Sequence, residues 1–409
     1  METGIFWFII LIYILINALN FLTSYLNHRA ANREIPSNVS DVYDEETYAD
    51  WRRYHHDLMR FKNGVSFIRF VVVLIFLASG LLRFIANYTL ELSESMLVST
   101  LLFIGILYLL NLVPSIITSY LYTFTIEEKH GFNKTTNPLF IKDEALKVLL
   151  TVLFGGGLIS LVVVLYDLMG SAFITLASIT VFSIILLINL GYVKVLLPLF
   201  NTLTPLEDSP LKTQIEALAQ KANYKVNKIH VMDASKRSTK LNAFFTGFGS
   251  FKNVVLFDTL VENMDDPEIL AVLAHEIGHA KHKDVLKNLA MSASQLLVTF
   301  GLLYGFFTLD IFYEAFGLEQ FHFGFMLILF GIAFMPLNVV LGILVNAISR
   351  KAEYKADAYA KAMTSRDSMI GALKKLARQN FSNLTPHGLQ VTLEYSHPPM
   401  HKRIEALEE

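Results

Sequence analysis

The sequence predicts a mainly α, polytopic membrane protein, with seven transmembrane helices and an α+β domain at one membrane face. Three observations predict it. The 409 residues are 53% hydrophobic and only 17% charged, and the mean hydropathy of +0.46 is too high for a soluble enzyme. Apolar runs of about 20 residues, the length that crosses a hydrocarbon core, recur along the chain. The charges gather in polar blocks between these runs. With 34 Lys+Arg against 36 Asp+Glu, a net charge of −2, there is no basic excess to bind nucleic acid. The absence of cysteine excludes disulfides, thiolate metal ligands and a cysteine nucleophile together.

The seven spans are expected near Ile5 to Leu26, Val65 to Ile85, Met96 to Tyr122, Val148 to Tyr166, Phe173 to Leu197, Leu289 to Leu309 and Phe325 to Ile348. The opening "METGIFWFII" lacks the basic stretch and small-residue cleavage site of a signal peptide, so it reads as a true span. Arg69 and Arg83 near the ends of the second run read as snorkelling side chains, and Asn111 with Pro114 as a kink in the third. The "GGG" at Gly155 to Gly157 suits close helix contact.

Orientation follows from Lys and Arg, which are retained on the cytoplasmic side. The first loop carries Arg29, Arg33, Arg52, Arg53, Arg60 and Lys62, and the third carries Lys129, Lys134 and Lys142. The loops "NYTLELSESM", "DLMGSA" and "DIFYEAFGLEQFHFG" carry none. Loops one, three and five and the C-terminus therefore share the cytoplasmic face. The chain divides into spans one to five with their loops (1–203), a first polar segment (204–287), spans six and seven (288–348) and a C-terminal polar segment (349–409). The two polar segments lie on one face and can build one site.

The first polar segment contains "NMDDPEILAVLAHEIGHAKHK", a helix with Asp266 as N-cap, Pro267 in its first turn and Glu268 close behind. His275 and His279, four residues apart, project from one helix face one turn apart. That is the geometry for two imidazoles on one Zn²⁺, with Glu276 beside the open position as general base. The alternative is a polar helix with histidines on its solvent face, so the motif needs a third ligand. The best candidate follows the seventh span in "NAISRKAEYKADAYAKA", where Glu353 and Asp357 are four apart on one face. Glu353 would bind the metal and Asp357 would orient an imidazole. His282 is a rival ligand, though it reads better as part of the polar collar before the sixth span.

These residues resemble those of a known family, the type I CAAX prenyl endopeptidases, seven-span integral-membrane zinc metalloproteases. "HEIGH" and "SRKAEYKAD" carry the resemblance together with "FTIEEKHGFNKTTNPLFIKD", "LFNTLTPLED", "DASKRSTKLNAFFTGFG", "NVVLFDTL" and "YSHPPMHKRI", all in the family's order. The resemblance implies one zinc ion held by His275, His279 and Glu353 in a gluzincin-like domain, with Glu276 as base and Asp357 behind the ligands. It also implies Asn242 beside the bound peptide, His397 and Arg403 supporting the oxyanion, and spans that surround a water-filled chamber. By their residue types alone, those last three residues read as a turn residue, a pre-proline loop residue and a surface charge.

In such a site a metal lowers the pKa of water to about 7 and polarises the peptide carbonyl, while the glutamate moves the proton. A peptide is expected to add as a strand along "NAFFTGF", against the main chain of Asn242, Ala243 and Phe244. The expected partners are the bilayer and a prenylated protein C-terminus or similar amphiphilic peptide, at a bacterial plasma membrane or the endoplasmic reticulum. Two other readings compete. One is a membrane-protein quality-control protease of the heat-shock type; the other is a channel or transporter with structural zinc, which four protein ligands would normally close.

Overall fold

A computed structural model describes residues 2–246 and 253–409. Among these, five helices are long and apolar enough to cross a membrane, and a bent pair makes a sixth. The longest of them, Asn137–Phe200, has 64 residues. At 1.5 Å per residue a straight helix of that size would be about three hydrocarbon thicknesses long. It is broken at Gly170, where φ is +50° and ψ −130°, and the segments Gly157–Met169 and Phe173–Gly191 fold back and pack on each other. Divided there, the run supplies the fourth and fifth expected spans. The chain is a multi-pass membrane protein.

Several boundaries differ from the sequence expectation. The second span belongs to a helix Glu45–Ala78. Ser79 and Gly80 end it, the glycine in the left-handed region at φ +76°, and Arg83 falls on the next helix, Leu81–Leu92. The apolar run continues across this break, which concealed it. The helix of the third span, Met96–Leu121, runs unbroken through Pro114 and then widens into a π-helical turn over Tyr122–Glu127. The seventh span bends by 54° between Phe323–Ala333 and Met335–Met363, with Pro336 in the first turn of the second half. That second half, the elbow helix, continues well past the apolar run.

Two main hydrophobic cores hold the molecule. One lies among the spans and is aromatic, with Phe103, Phe173, Phe323 and Phe325 at its centre. The other lies in the polar part and packs Leu256, Leu260, Ile269 and Leu273 against Leu373 and Ile404. Val39, Val42, Tyr43 and Trp51 of the large first loop enter this second core. Trp51 is 1% exposed, and its indole N–H donates to the Phe381 carbonyl at 3.1 Å. The first loop is therefore structurally part of the polar domain, although four spans separate the two in the chain.

A four-stranded sheet supports the site: β1 (Leu203–Pro205), β2 (Lys228–Met232), β3 (Ala243–Thr246) and β4 (Asn253–Phe257), in the order β1-β2-β4-β3. β2 runs parallel to β4, while β1 and β3 are antiparallel edges. Val254, Val255 and Leu256 are fully buried, as expected for a strand covered on both faces.

Candidate active site

The motif helix, Asp266–Lys281, starts one residue earlier than expected. Its N-cap is Asp265, not Asp266. The Asp265 N–H donates to Glu268 Oε2 at 3.0 Å, closing a capping box. The Asp266 side chain instead accepts from Gln214. The helix then buries Ile269, Leu273 and Ile277 and presents His275, Glu276 and His279 on its remaining face.

Gly278 brings the elbow helix close. A Cβ at this position would lie 3.0 Å from Ala356 Cα and 3.2 Å from Tyr359 Cβ, so the two backbones meet here with no side chain between them. Ala356 sits between Glu353 and Asp357, and both carboxylates are delivered to the histidines. His275 Nε2 is 3.2 Å from His279 Nε2 and 3.4 Å from Glu353 Oε2. His279 Nε2 is 3.2 Å from Glu353 Oε1.

These three residues could hold a metal ion, and among the described residues they are the one such group. Four donors arranged tetrahedrally at 2.0–2.1 Å from Zn²⁺ are separated by about 3.3 Å; the two imidazole nitrogens stand at that spacing, and each lies at it from one of the two Glu353 oxygens. Glu353 Oε2 is buried without a hydrogen-bond partner, an orphan that a cation would satisfy. The donor set fits the ion that the resemblance implies. His282 lies outside the group. It caps the helix C-terminus and packs edge-on to Tyr359.

Each imidazole is oriented from behind. His275 Nδ1 is 2.8 Å from Asp357 Oδ1, so the ring donates there and leaves Nε2 free to face the site. His279 Nδ1 is 3.1 Å from Asp284 Oδ2, and Asp284 Oδ1 accepts from Lys287 at 2.9 Å. Asp284 was not singled out in the sequence: it lies five residues beyond His279, and "KHKD" reads as a polar collar. Burial pulls the His275 imidazole down, but the carboxylates of Asp357 and Glu353 outweigh it and lift it to about 9. Burial raises the Glu276 carboxyl, against the pull of the two histidines.

Arg403 stands behind the histidines. Its Nε and Nη2 donate to the two Asp357 oxygens at 2.8 and 2.6 Å, and Nη2 is 3.6 Å from Glu353 Oε2. His397 lies on the open side. Its Nε2 is 3.3 Å from Glu353 Oε1, and its side chain is 61% exposed. Just ahead of β3, Asn242 is exposed and its Oδ1 accepts from the Ala243 N–H at 2.9 Å. Ala243 is buried and the Phe244 ring packs near Phe257 and Tyr192. Asn380 pairs with both Leu241 backbone groups, at 2.8 and 3.0 Å, and sets where β3 begins. Gly247 and Phe248 of the "NAFFTGF" block lie outside the described residues.

Apolar spans that carry a capped helix with two histidines and a glutamate, completed by a third candidate ligand, Glu353, from the last span's extension, define an integral-membrane metalloprotease. The comparisons agree. Residues 205–409 match the model of peptidase family M48, and residues 24–202 match that described as "CAAX prenyl protease N-terminal, five membrane helices". The chain belongs to peptidase family M48. It is 31% identical to CAAX prenyl protease 1 of Saccharomyces cerevisiae, covering 94% of this chain and 92% of that one. It is 30% identical to the CAAX prenyl protease 1 homolog of Homo sapiens, covering 91% and 88%. The crystal structure of S. mikatae Ste24p superimposes with a TM-score of 0.92 at 29% identity, over 100% of this chain and 99% of that one.

Proposed function

We propose that the protein is a zinc endopeptidase that cleaves near the C-terminus of prenylated CAAX-type proteins at the cytoplasmic membrane face. The triangle of His275, His279 and Glu353 donor atoms, with Glu276 beside it, carries this reading. The CAAX substrate rests on what the yeast and human relatives are named for. The cytoplasmic side rests on the basic first and third loops, the first of which shares the polar core.

When bound, zinc supplies Lewis acidity, which activates water and polarises the scissile carbonyl. The Glu276 carboxylate takes the proton of the attacking water and returns it to the leaving amine. Burial lifts this carboxyl, and the same group serves as base and then as acid. Asp357 and Asp284 fix the tautomers of the two imidazoles, and Arg403 locks Asp357 in place. His397, on the open side, donates to the carbonyl oxygen as negative charge develops there. The peptide main chain adds to the free edge of β3, which leaves side-chain selection to other surfaces.

The test compares a farnesylated CAAX peptide with its unprenylated twin, using wild-type protein and Glu276→Gln. Wild type should cut the farnesylated peptide, while Glu276→Gln should hold about one zinc per chain and cut neither. Cleavage by Glu276→Gln at the wild-type rate would remove the mechanism. Failure of zinc-loaded wild type on both peptides would remove the CAAX assignment.

A further inference from the structure

His397 reaches the site from a loop, and more than half of its side chain is exposed. Its ring contacts are few: Glu353 through Nε2, and Ser396 Oγ at 3.0 Å through Nδ1. A ring with so little packing around it is placed by its backbone. Pro398 and Pro399 stiffen the chain that follows. The chain that precedes it is the short helix Gly388–Glu394 and Tyr395.

That segment is held at its start and at its end. At the start, the buried Asn27 of the first helix accepts the His387 N–H at 3.1 Å. At the end, its carbonyls are taken by two side chains of the elbow helix. Asn346 Nδ2 donates to the Leu393 carbonyl at 2.8 Å. Arg350 Nη1 donates to the carbonyls of Val391 at 2.9 Å and Tyr395 at 2.8 Å.

Asn346, Arg350, Glu353 and Asp357 are spaced by four, three and four residues. At 100° per residue they fall within about 60° of arc, one stripe along the helix. The first two hold the approach to His397, the third belongs to the metal triangle, and the fourth holds Arg403 and His275. One rigid element thus references every part of the C-terminal contribution to the site.

We infer that Arg350, assisted by Asn346, is a positioning residue that sets where His397 stands relative to Glu353. The inference rests on the proposed role of His397 at the carbonyl oxygen. A clamp of this kind acts on kcat rather than on KM, because the peptide main chain binds along β3, apart from the 388–399 segment. It also leaves the metal in place, since the Arg350 contacts touch no metal-facing atom.

The experiment is a double-mutant cycle in full-length, zinc-loaded protein, scored with whichever of the two CAAX peptides wild type cuts. His397→Ala should lower kcat about 100-fold, and Arg350→Ala about 10- to 100-fold, each with KM within about twofold. The double variant should fall no further than His397→Ala alone, because residues that act through one another are not additive. Hydrogen exchange should rise across 388–399 in Arg350→Ala while the motif helix stays protected, and zinc content should match wild type. Arg350→Lys, which offers one amine to two carbonyls, should recover part of the rate. If Arg350→Ala does not fold, Asn346→Ala, which removes only the Leu393 contact, takes its place with a smaller loss. Multiplicative losses in the double variant, or unchanged exchange at 388–399, would overturn the inference. Wild-type kcat in His397→Ala would instead overturn the reading on which it rests.

Discussion

Replacing Gly278 with alanine puts a Cβ 3.0 Å from Ala356 Cα, 3.2 Å from Tyr359 Cβ and 3.3 Å from the Ala356 carbonyl oxygen. Carbon atoms at rest keep about 3.5–4.0 Å between them. The helices must therefore part by roughly 0.5–1 Å, since two of the three obstacles are backbone and cannot rotate away. Overpacking of this kind costs about 1–3 kcal/mol, while alanine recovers about 1 kcal/mol of helix propensity. Stability should fall by no more than about 2 kcal/mol. The metal triangle is less forgiving, because ligand distances hold within about 0.2 Å, and parting the helices moves Glu353 away from both histidines. Zinc affinity should drop about 10- to 100-fold, comparable to loss of a supporting residue, with turnover falling in step at limiting zinc. The assay is chelator competition for zinc with a thermal melt on the same preparation. Gly278→Ala with wild-type zinc affinity would refute the reasoning, whatever its melting temperature.

Further outcomes follow from the same geometry. Asp284→Asn, which weakens the acceptor behind His279, should lower zinc affinity about tenfold in the same competition assay and leave the fold intact. Zinc-stripped protein should show a pH dependence of opposite sign for its two properties. His275 rises from its ordinary 6.5 to about 9, so its protonation stabilises the stripped fold fully below pH 6.5, and that stability is lost as the pH climbs through about 9. Zinc must displace that proton, so uptake should strengthen over the same window. Melts and zinc titrations at pH 6.5, 7.5 and 8.5 will separate the two trends. Arg237 grips both Asp143 oxygens at 2.8 and 2.9 Å and also Asn201 at 3.0 Å. Arg237→Ala strands a mostly buried carboxylate and should cost about 3 kcal/mol, read as a lower melting temperature with zinc still bound.

The parts of this molecule legible in the sequence are those with a local period. Apolar runs marked the spans, and spacings of four placed His275 with His279 and Glu353 with Asp357 on shared faces. What escaped depends on partners distant in the chain. Gly278 reads as an ordinary helix glycine until Ala356 is set against it. Arg350 looks like a collar charge until the Val391 and Tyr395 carbonyls are set against it, whereas Asp284 is near His279 in the chain and needs only the turn after Lys281 to face that ring. Arg403 reads by residue type as a surface charge, yet its guanidinium is tied to Asp357, which no spacing between 357 and 403 could have revealed. The large first loop has no strong period of its own. Its Trp51 reaches the polar core only because a turn near Phe381 offers it a carbonyl.

The elbow helix has one more consequence. From Met335 to Met363 it is a single rod whose upper half belongs to the bent apolar span and whose lower half carries Glu353 of the candidate metal group. A span accommodates a thicker or thinner hydrocarbon layer by tilting, at a cost of fractions of a kcal/mol per ångström. A rod that runs from span to site without a break leaves no joint at which such a tilt could be absorbed before Glu353.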